Sequence, residues 1–187
     1  EIRKKIESTN SGFSQDALRV LAFSFRTHDA LPIEISSEAI ENDLTFVGLV
    51  GMIDPPRTEA KDAIKICKEA GIDTIMITGD YKETAFAIGK DLGMADTLEN
   101  AMTGEELNKI SDEELREKVK TTNVFARVAP EHKVRIVDAL KYNGEITAMT
   151  GDGVNDALAL KRADIGISMG ITGTDVAKNT AEVILTD

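Results

Sequence analysis

Tryptophan is absent from this 187-residue chain, and cysteine occurs once, at Cys67. A single cysteine excludes an internal disulfide framework. Cys67 lies on the apolar stripe Ala60, Ala63, Ile64, Cys67, which predicts a small core residue rather than a catalytic thiol. No run approaches the roughly 20 apolar residues of a membrane helix. No secretory signal is visible either. Basic residues are the minority, 22 against 33 acidic, and the net charge of −11 argues against a free nucleic-acid-binding module. Hydrophobic residues make up 42%, too many for a disordered chain. The length suits one domain, or one domain plus a piece of another. The first residue is Glu1, inside a charged helical pattern with Ile2 and Ile6, and Asp187 directly follows a strand-like run. Both ends are therefore expected to be cuts in a longer protein.

Helical spacing covers residues 1–27, with Ser14 as a cap before Ala17, Leu18, Leu21, Ala22 and Phe25. Residues 28–42 read as loop. Leu44–Ile53 reads as a buried strand, stopped by Pro55 and Pro56. Helices and strands then alternate. Helices are predicted over 58–70, 82–92, 104–120, 130–142, 154–161 and 175–179, with Ser111 a second cap inside the third. Strands are predicted over 72–77, 123–128, 145–150, 164–169 and 182–185. Gly71, Gly93 and Gly144 stand at helix ends. Alternation at this spacing predicts an α/β fold: a parallel sheet with helices on both faces.

Two tripeptides stand where a strand ends and a helix begins, Thr78-Gly79-Asp80 and Thr150-Gly151-Asp152. That edge of a parallel sheet is where such folds bind ligands. Glycine admits backbone N–H groups to a phosphate, and a helix N-terminus favours an anion. A threonine hydroxyl can donate to a phosphate oxygen. A carboxylate among phosphates suits Mg²⁺, which takes one or two carboxylates plus water and substrate oxygens. Asp152 and Asp156, four residues apart, crowd two carboxylates unless a cation neutralises them. Lys133 lies in the first turn of a helix, where the macrodipole disfavours a cation, so it calls for an anionic partner. His132 is expected to be structural, and His28 to be solvated.

Asp54-Pro55-Pro56-Arg57, Thr78-Gly79-Asp80, Phe125-Ala126-Arg127-Val128, Pro130-Glu131-His132-Lys133 and Thr150-Gly151-Asp152-Gly153-Val154-Asn155-Asp156 occur in this order. Together they resemble the phosphorylation domain of P-type cation-transporting ATPases, over nearly the whole chain. The stretch Met169–Lys178 looks most like the calcium-pump branch. The resemblance implies a haloacid-dehalogenase-like, Rossmannoid sheet, with Mg²⁺ and ATP as cofactors. It implies Asp152 as the Mg²⁺ ligand. Thr78 and Gly79 would bind phosphoryl oxygens beside Asp80, and Lys133 would neutralise them. Asn155 and Asp156 would support the phosphate–metal cluster, flanked by Gly151 and Gly153. Arg127 would reach the nucleotide ribose, and Arg19 the ATP phosphates. Asp54, Pro55, Pro56 and Arg57 would form a hinge between the end of a nucleotide-binding domain (1–53) and the phosphorylation domain (54–187). The parent would be an integral membrane protein with this piece at the cytoplasmic face.

Two departures stand out. Leu158 replaces the family's usual proline after Ala157, with little expected effect because it offers no ligand atom. The family nucleophile, the Asp of Asp-Lys-Thr-Gly-Thr, is absent. In the family fold its strand lies between those ending at Thr78 and Thr150. Its absence predicts a gap or unpaired edges, with a swapped dimer as one outcome. The remaining partners would be the rest of the pump. Two alternatives stay open. A soluble phosphatase would need Asp54 as nucleophile, but Pro55 and Pro56 lack the N–H groups such a loop uses. A non-catalytic module binding Mg²⁺ or nucleotide is the other.

Overall fold

The computed structural model describes residues 2–15, 18–30, 33, 35–52 and 56–186. The chain folds as two units, Glu1–Pro55 and Pro56–Asp187.

In the first unit, helix α1 (Ile2–Gln15) precedes strand β1 (Arg19–Phe25). Helix α2 (Ser37–Ile40) and strand β2 (Thr45–Met52) follow. The helix expected through residue 27 therefore ends by Gln15, and Ser14 lies inside α1 rather than capping a second helix. Val20, Phe23 and Phe25 are strand formers, and β2 sets Thr45 opposite Phe25, Phe46 opposite Ser24 and Val50 opposite Leu21. The two strands pair antiparallel, Arg19 opposite Met52, with an irregularity between Phe23 and Ser24. That ladder overrides the helical spacing of Leu18, Leu21 and Phe25. The expected loop over 28–42 contains α2, whose cap Ser36 accepts the Ala39 N–H at 3.3 Å. β2 is not the buried strand expected, since Phe46, Val47 and Val50 are exposed. His28 is half-buried rather than solvated, with its Nε2 enclosed.

In the second unit, helix α3 (Thr58–Glu69) is followed by Gly71 at φ 75°. Its stripe Ala60, Ile64 and Cys67 is only half-buried, and Ala63 is exposed, so Cys67 is not the core residue expected. Strand β3 (Met76–Ile77) leads to helix α4 (Lys82–Asp91). A 3₁₀ turn (Leu98–Asn100) then enters strand β4 (Ala101–Thr103), which the sequence pattern did not reveal. The helix expected over 104–120 is two helices, α5 (Gly104–Asn108) and α6 (Asp112–Lys118). Both begin with a reciprocal cap, Thr103 with Glu106 and Ser111 with Glu114. Strand β5 (Val124–Ala126), helix α7 (Pro130–Tyr142) and strand β6 (Ala148–Gly151) come next. A second 3₁₀ turn (Val154–Asp156), helix α8 (Ala157–Arg162), strand β7 (Ile165–Met169), helix α9 (Asp175–Thr180) and strand β8 (Val183–Leu185) complete the unit.

These strands form two three-stranded parallel sheets, in the orders β3-β5-β4 and β6-β7-β8. Successive side chains alternate across the first sheet. Ile75, Ile77, Met102 and Phe125 join Leu107, Leu115 and Ile136 from α5, α6 and α7, and Val119 just after α6. Met76, Ala101, Val124 and Ala126 join Ala85 and Phe86 from α4. Helices thus cover both faces, as the alternating sequence pattern predicts. Phe125 is fully enclosed, a burial that stabilises by about 1.5–3 kcal/mol. Among the described residues, no helix is long and apolar enough to cross a membrane.

Candidate active site

Among the described residues, β3 and β6 each have one neighbour in their own sheet, leaving one edge of each unpaired. Those edges line one cleft of about 370 Å³. Ile75 and Ile77 form one wall. Ala148, Met149, Thr150 and Gly151 form the other, with Met169 behind. Lys133, Asp152 and Asp156 line the same cleft.

Asp156 organises the polar end. It is 7% exposed. Its Oδ2 accepts the backbone N–H groups of Gly153 at 3.1 Å and Asp152 at 3.3 Å. Its Oδ1 accepts from Lys133 Nζ at 2.5 Å. The anionic partner that Lys133 calls for is therefore Asp156. Burial works to raise the Asp156 carboxyl, but the Lys133 ammonium and the two N–H groups outweigh it and hold it below the usual carboxylate range. The crowding of Asp152 and Asp156 is relieved by this lysine and by backbone dipoles. Glycine is required at 151 because a Cβ there would stand 2.5 Å from the Asp156 Cβ. Asp152 and Asn155 are exposed. The Asp152 carbonyl accepts the Thr174 N–H at 2.8 Å, a tether from the loop before α9 that motif reading did not find.

Thr78, Gly79 and Asp80 follow β3. The Thr78 hydroxyl donates to Asp80 Oδ2 at 2.9 Å, and the Asp80 N–H donates back to that hydroxyl at 3.1 Å. The adjoining residue Ile77 lines the cleft; Thr78 does not. Arg127 leaves β5 at φ 53°, the left-handed region. Its N–H donates to the Asp80 carbonyl at 3.1 Å. Its guanidinium carbon lies 3.9 Å from the centroid of the Tyr81 ring, a contact motif reading also missed. His132 is structural: Nδ1 accepts the Ala129 N–H at 2.9 Å, so Nε2–H donates to Asn108 at 2.8 Å. Arg19 opens β1 in the first unit, on a strand rather than the helix expected. Of the four hinge candidates, Asp54 and Pro55 lie outside the described residues. Pro56 is half-buried, and Arg57 is the residue before α3.

The structure thus gathers Lys133, Gly151, Asp152 and Asp156 at one cleft, with Gly153 bonded to Asp156, and places Thr78, Gly79, Asp80 and Arg127 around the end of β3. Among the described residues, no group of three or more His, Cys, Asp or Glu side chains could cage a metal. Asp156 is committed to Lys133, which leaves Asp152 as the accessible carboxylate. That donor set fits Mg²⁺ arriving with a phosphate group, because Mg²⁺ accepts one or two carboxylates and fills its shell with water and phosphate oxygens.

Comparison with known proteins agrees with the fold. A model of the haloacid dehalogenase-like hydrolases matches residues 12–164. Calcium-transporting ATPase 1 of Bacillus cereus is 56% identical over 99% of this chain and 21% of its own length. The calcium-transporting ATPase of Bacillus subtilis is 52% identical over the whole chain, again 21% of its own length. Human calcium-transporting ATPase type 2C member 2 is 54% identical over 77% of the chain and 15% of its own length. The chain therefore spans about a fifth of the length of the bacterial relatives. It belongs to the haloacid dehalogenase-like hydrolase family.

Proposed function

We propose that this chain is the acceptor-less part of the catalytic domain of an ATP-driven cation pump, with calcium the cation its relatives suggest. The longer protein would form an aspartyl phosphate from Mg-ATP and hydrolyse it, working at the cytoplasmic face of a membrane. The observation that carries this reading is the cleft between the free edges of β3 and β6, with the Lys133–Asp156 pair at its polar end. A strand bearing the acceptor aspartate, supplied by the rest of the protein, would present its carboxylate there.

Phosphoryl transfer rests on positioning and charge neutralisation. Lys133 is held by Asp156 through one of its three N–H donors. Two donors remain for phosphoryl oxygens. Asp156, kept ionised by its partners, fixes the ammonium where charge develops. The Gly79 amide and the Thr78 hydroxyl would orient the transferred group; the hydroxyl must turn away from Asp80 to do so. Asp152 would hold Mg²⁺, with Asn155 and the Gly151–Gly153 backbone at its side. When bound, Mg²⁺ supplies positive charge to the phosphate oxygens. Arg127 would contact the nucleotide ribose, and Arg19 its phosphates. Residues 54–57 would act as the hinge between domains 1–53 and 54–187.

The test is acid-stable ³²P labelling from Mg-ATP in the full-length protein. Lys133→Ala and Asp152→Asn should each lower the phosphoenzyme at least tenfold. Near-normal labelling in either would overturn the role assigned to it. The 187-residue chain alone should take no label; labelling would mean that it carries its own nucleophile.

A further inference from the structure

Arg127 adopts a backbone conformation that side-chain-bearing residues seldom occupy, φ 53°. Three bonds hold it there. The Thr78 N–H donates to the Phe125 carbonyl at 2.9 Å, the Arg127 N–H to the Asp80 carbonyl at 3.1 Å, and the Val128 N–H to the Thr78 carbonyl at 3.5 Å. The exit of β5 is thereby laced to the loop after β3. The turn aims the Arg127 side chain onto Tyr81, whose ring centroid lies 3.9 Å from the guanidinium carbon. Tyr81 is 65% exposed and immediately precedes α4, so its ring is not a core anchor. Its carbonyl starts the α4 ladder by accepting the Ala85 N–H at 2.8 Å, which fixes the base of the side chain. An exposed aromatic ring on a fixed base, facing an arginine on a strained one, is an arrangement that restricts a flexible cation. An arginine free to sample many rotamers forfeits part of its binding energy to ordering.

We propose that Tyr81 is a positioning residue. Its ring holds the Arg127 guanidinium at the mouth of the Thr78–Asp80 loop, and so sets nucleotide affinity without taking part in phosphoryl transfer. This rests on the assignment of Arg127 to the nucleotide made above. Tyr81 acts only through Arg127, so its loss lowers affinity and leaves the saturated rate alone. The ring face is what matters, not the hydroxyl.

The experiment uses the full-length protein and two readouts: the Kd of a non-hydrolysable ATP analogue by calorimetry, and KM for ATP against kcat. Tyr81→Leu should weaken both Kd and KM about two- to fivefold, the range of an exposed cation–π contact, with kcat within twofold of the parent. Tyr81→Phe and Tyr81→Trp should match the parent. Arg127→Ala should weaken affinity at least as much, and adding Tyr81→Leu to it should change nothing further. An unchanged Kd in Tyr81→Leu beside a weakened one in Arg127→Ala would overturn the proposal and leave the role of Arg127 standing. An unchanged Kd in Arg127→Ala would overturn both. Additive effects in the double variant, or a fall in kcat with Kd intact, would also overturn it, because Tyr81 would then act independently of Arg127.

Discussion

Asp164 immediately precedes β7, does not line the cleft, and has its carboxylate held by the residue before β6 and by α7. The Thr147 N–H and hydroxyl donate to its Oδ2 at 2.9 and 3.1 Å, and Lys141 Nζ lies 2.9 Å from its Oδ1. The Thr147 N–H, with Lys141 and the Thr147 hydroxyl, lowers its pKa to about 2 against a smaller opposing effect of burial. A carboxyl depressed in the folded state contributes stability above its unfolded pKa, roughly 4. That contribution is lost as pH falls through the folded value. The parent chain should therefore lose melting temperature between about pH 4 and pH 2 more steeply than Asp164→Asn. Thermal scans across pH 2–6 check this, and parallel curves for the two proteins would contradict it. Asp156 pulls in the same direction, so Asp164→Asn should flatten the profile without abolishing its slope.

At the scale of elements, Arg135 joins α7 to the break between α5 and α6. Its Nη1 donates to the Leu107 carbonyl at 2.8 Å, and its Nη2 to the Ile110 carbonyl at 3.0 Å. Nε and Nη2 both donate to Asp112 Oδ1, at 3.0 and 2.8 Å. The planar fork satisfies carbonyls that the end of a helix leaves without intrahelical donors. Arg135→Ala should cost about 1.5–3 kcal/mol of unfolding free energy in a urea titration. Arg135→Lys should recover only part of it, lacking the fork. A loss under about 0.5 kcal/mol, the range of an ordinary surface substitution, would show the junction to be held by packing instead. Ser111 was legible as a cap, and α7 was legible to its end residues because Pro130 and Asn143-Gly144 punctuate it. β4 was not, since three residues ahead of a capping box carry no period of their own. β1 was not legible either, because Leu18, Leu21, Ala22 and Phe25 repeat at helical spacing and only pairing with β2, some 25 residues later, decides between the two forms. At the cleft, the Lys133, Asp152 and Asp156 residue types were legible from motif chemistry. The Lys133–Asp156 pair was not, nor was the Arg127–Tyr81 stack, since each joins elements distant in sequence.

Two sheets of three strands in a single unit leave edges that protein folds ordinarily close. The second unit puts two such edges, β3 and β6, on one cleft whose walls carry Ile75, Ile77 and Met149. Unpaired N–H and C=O groups beside apolar side chains favour the addition of a strand. On the proposed function, one parallel strand from the rest of the protein fills the cleft and joins the sheets into one of seven. Its carboxyl end would then meet Lys133. Hydrogen exchange checks this at the backbone. In the 187-residue chain, those amides of Ala148–Gly151 that do not bond to β7 should exchange rapidly. In the full-length protein, or on adding a peptide of the acceptor-bearing segment, they should slow at least tenfold, as amides do on entering a ladder. The free edges should also make the isolated chain self-associate as concentration rises, through strand exchange or edge pairing, and the same peptide should return it to monomer. A monomeric chain with these amides already protected would mean that the cleft closes on itself, and the supplied-strand reading would fall.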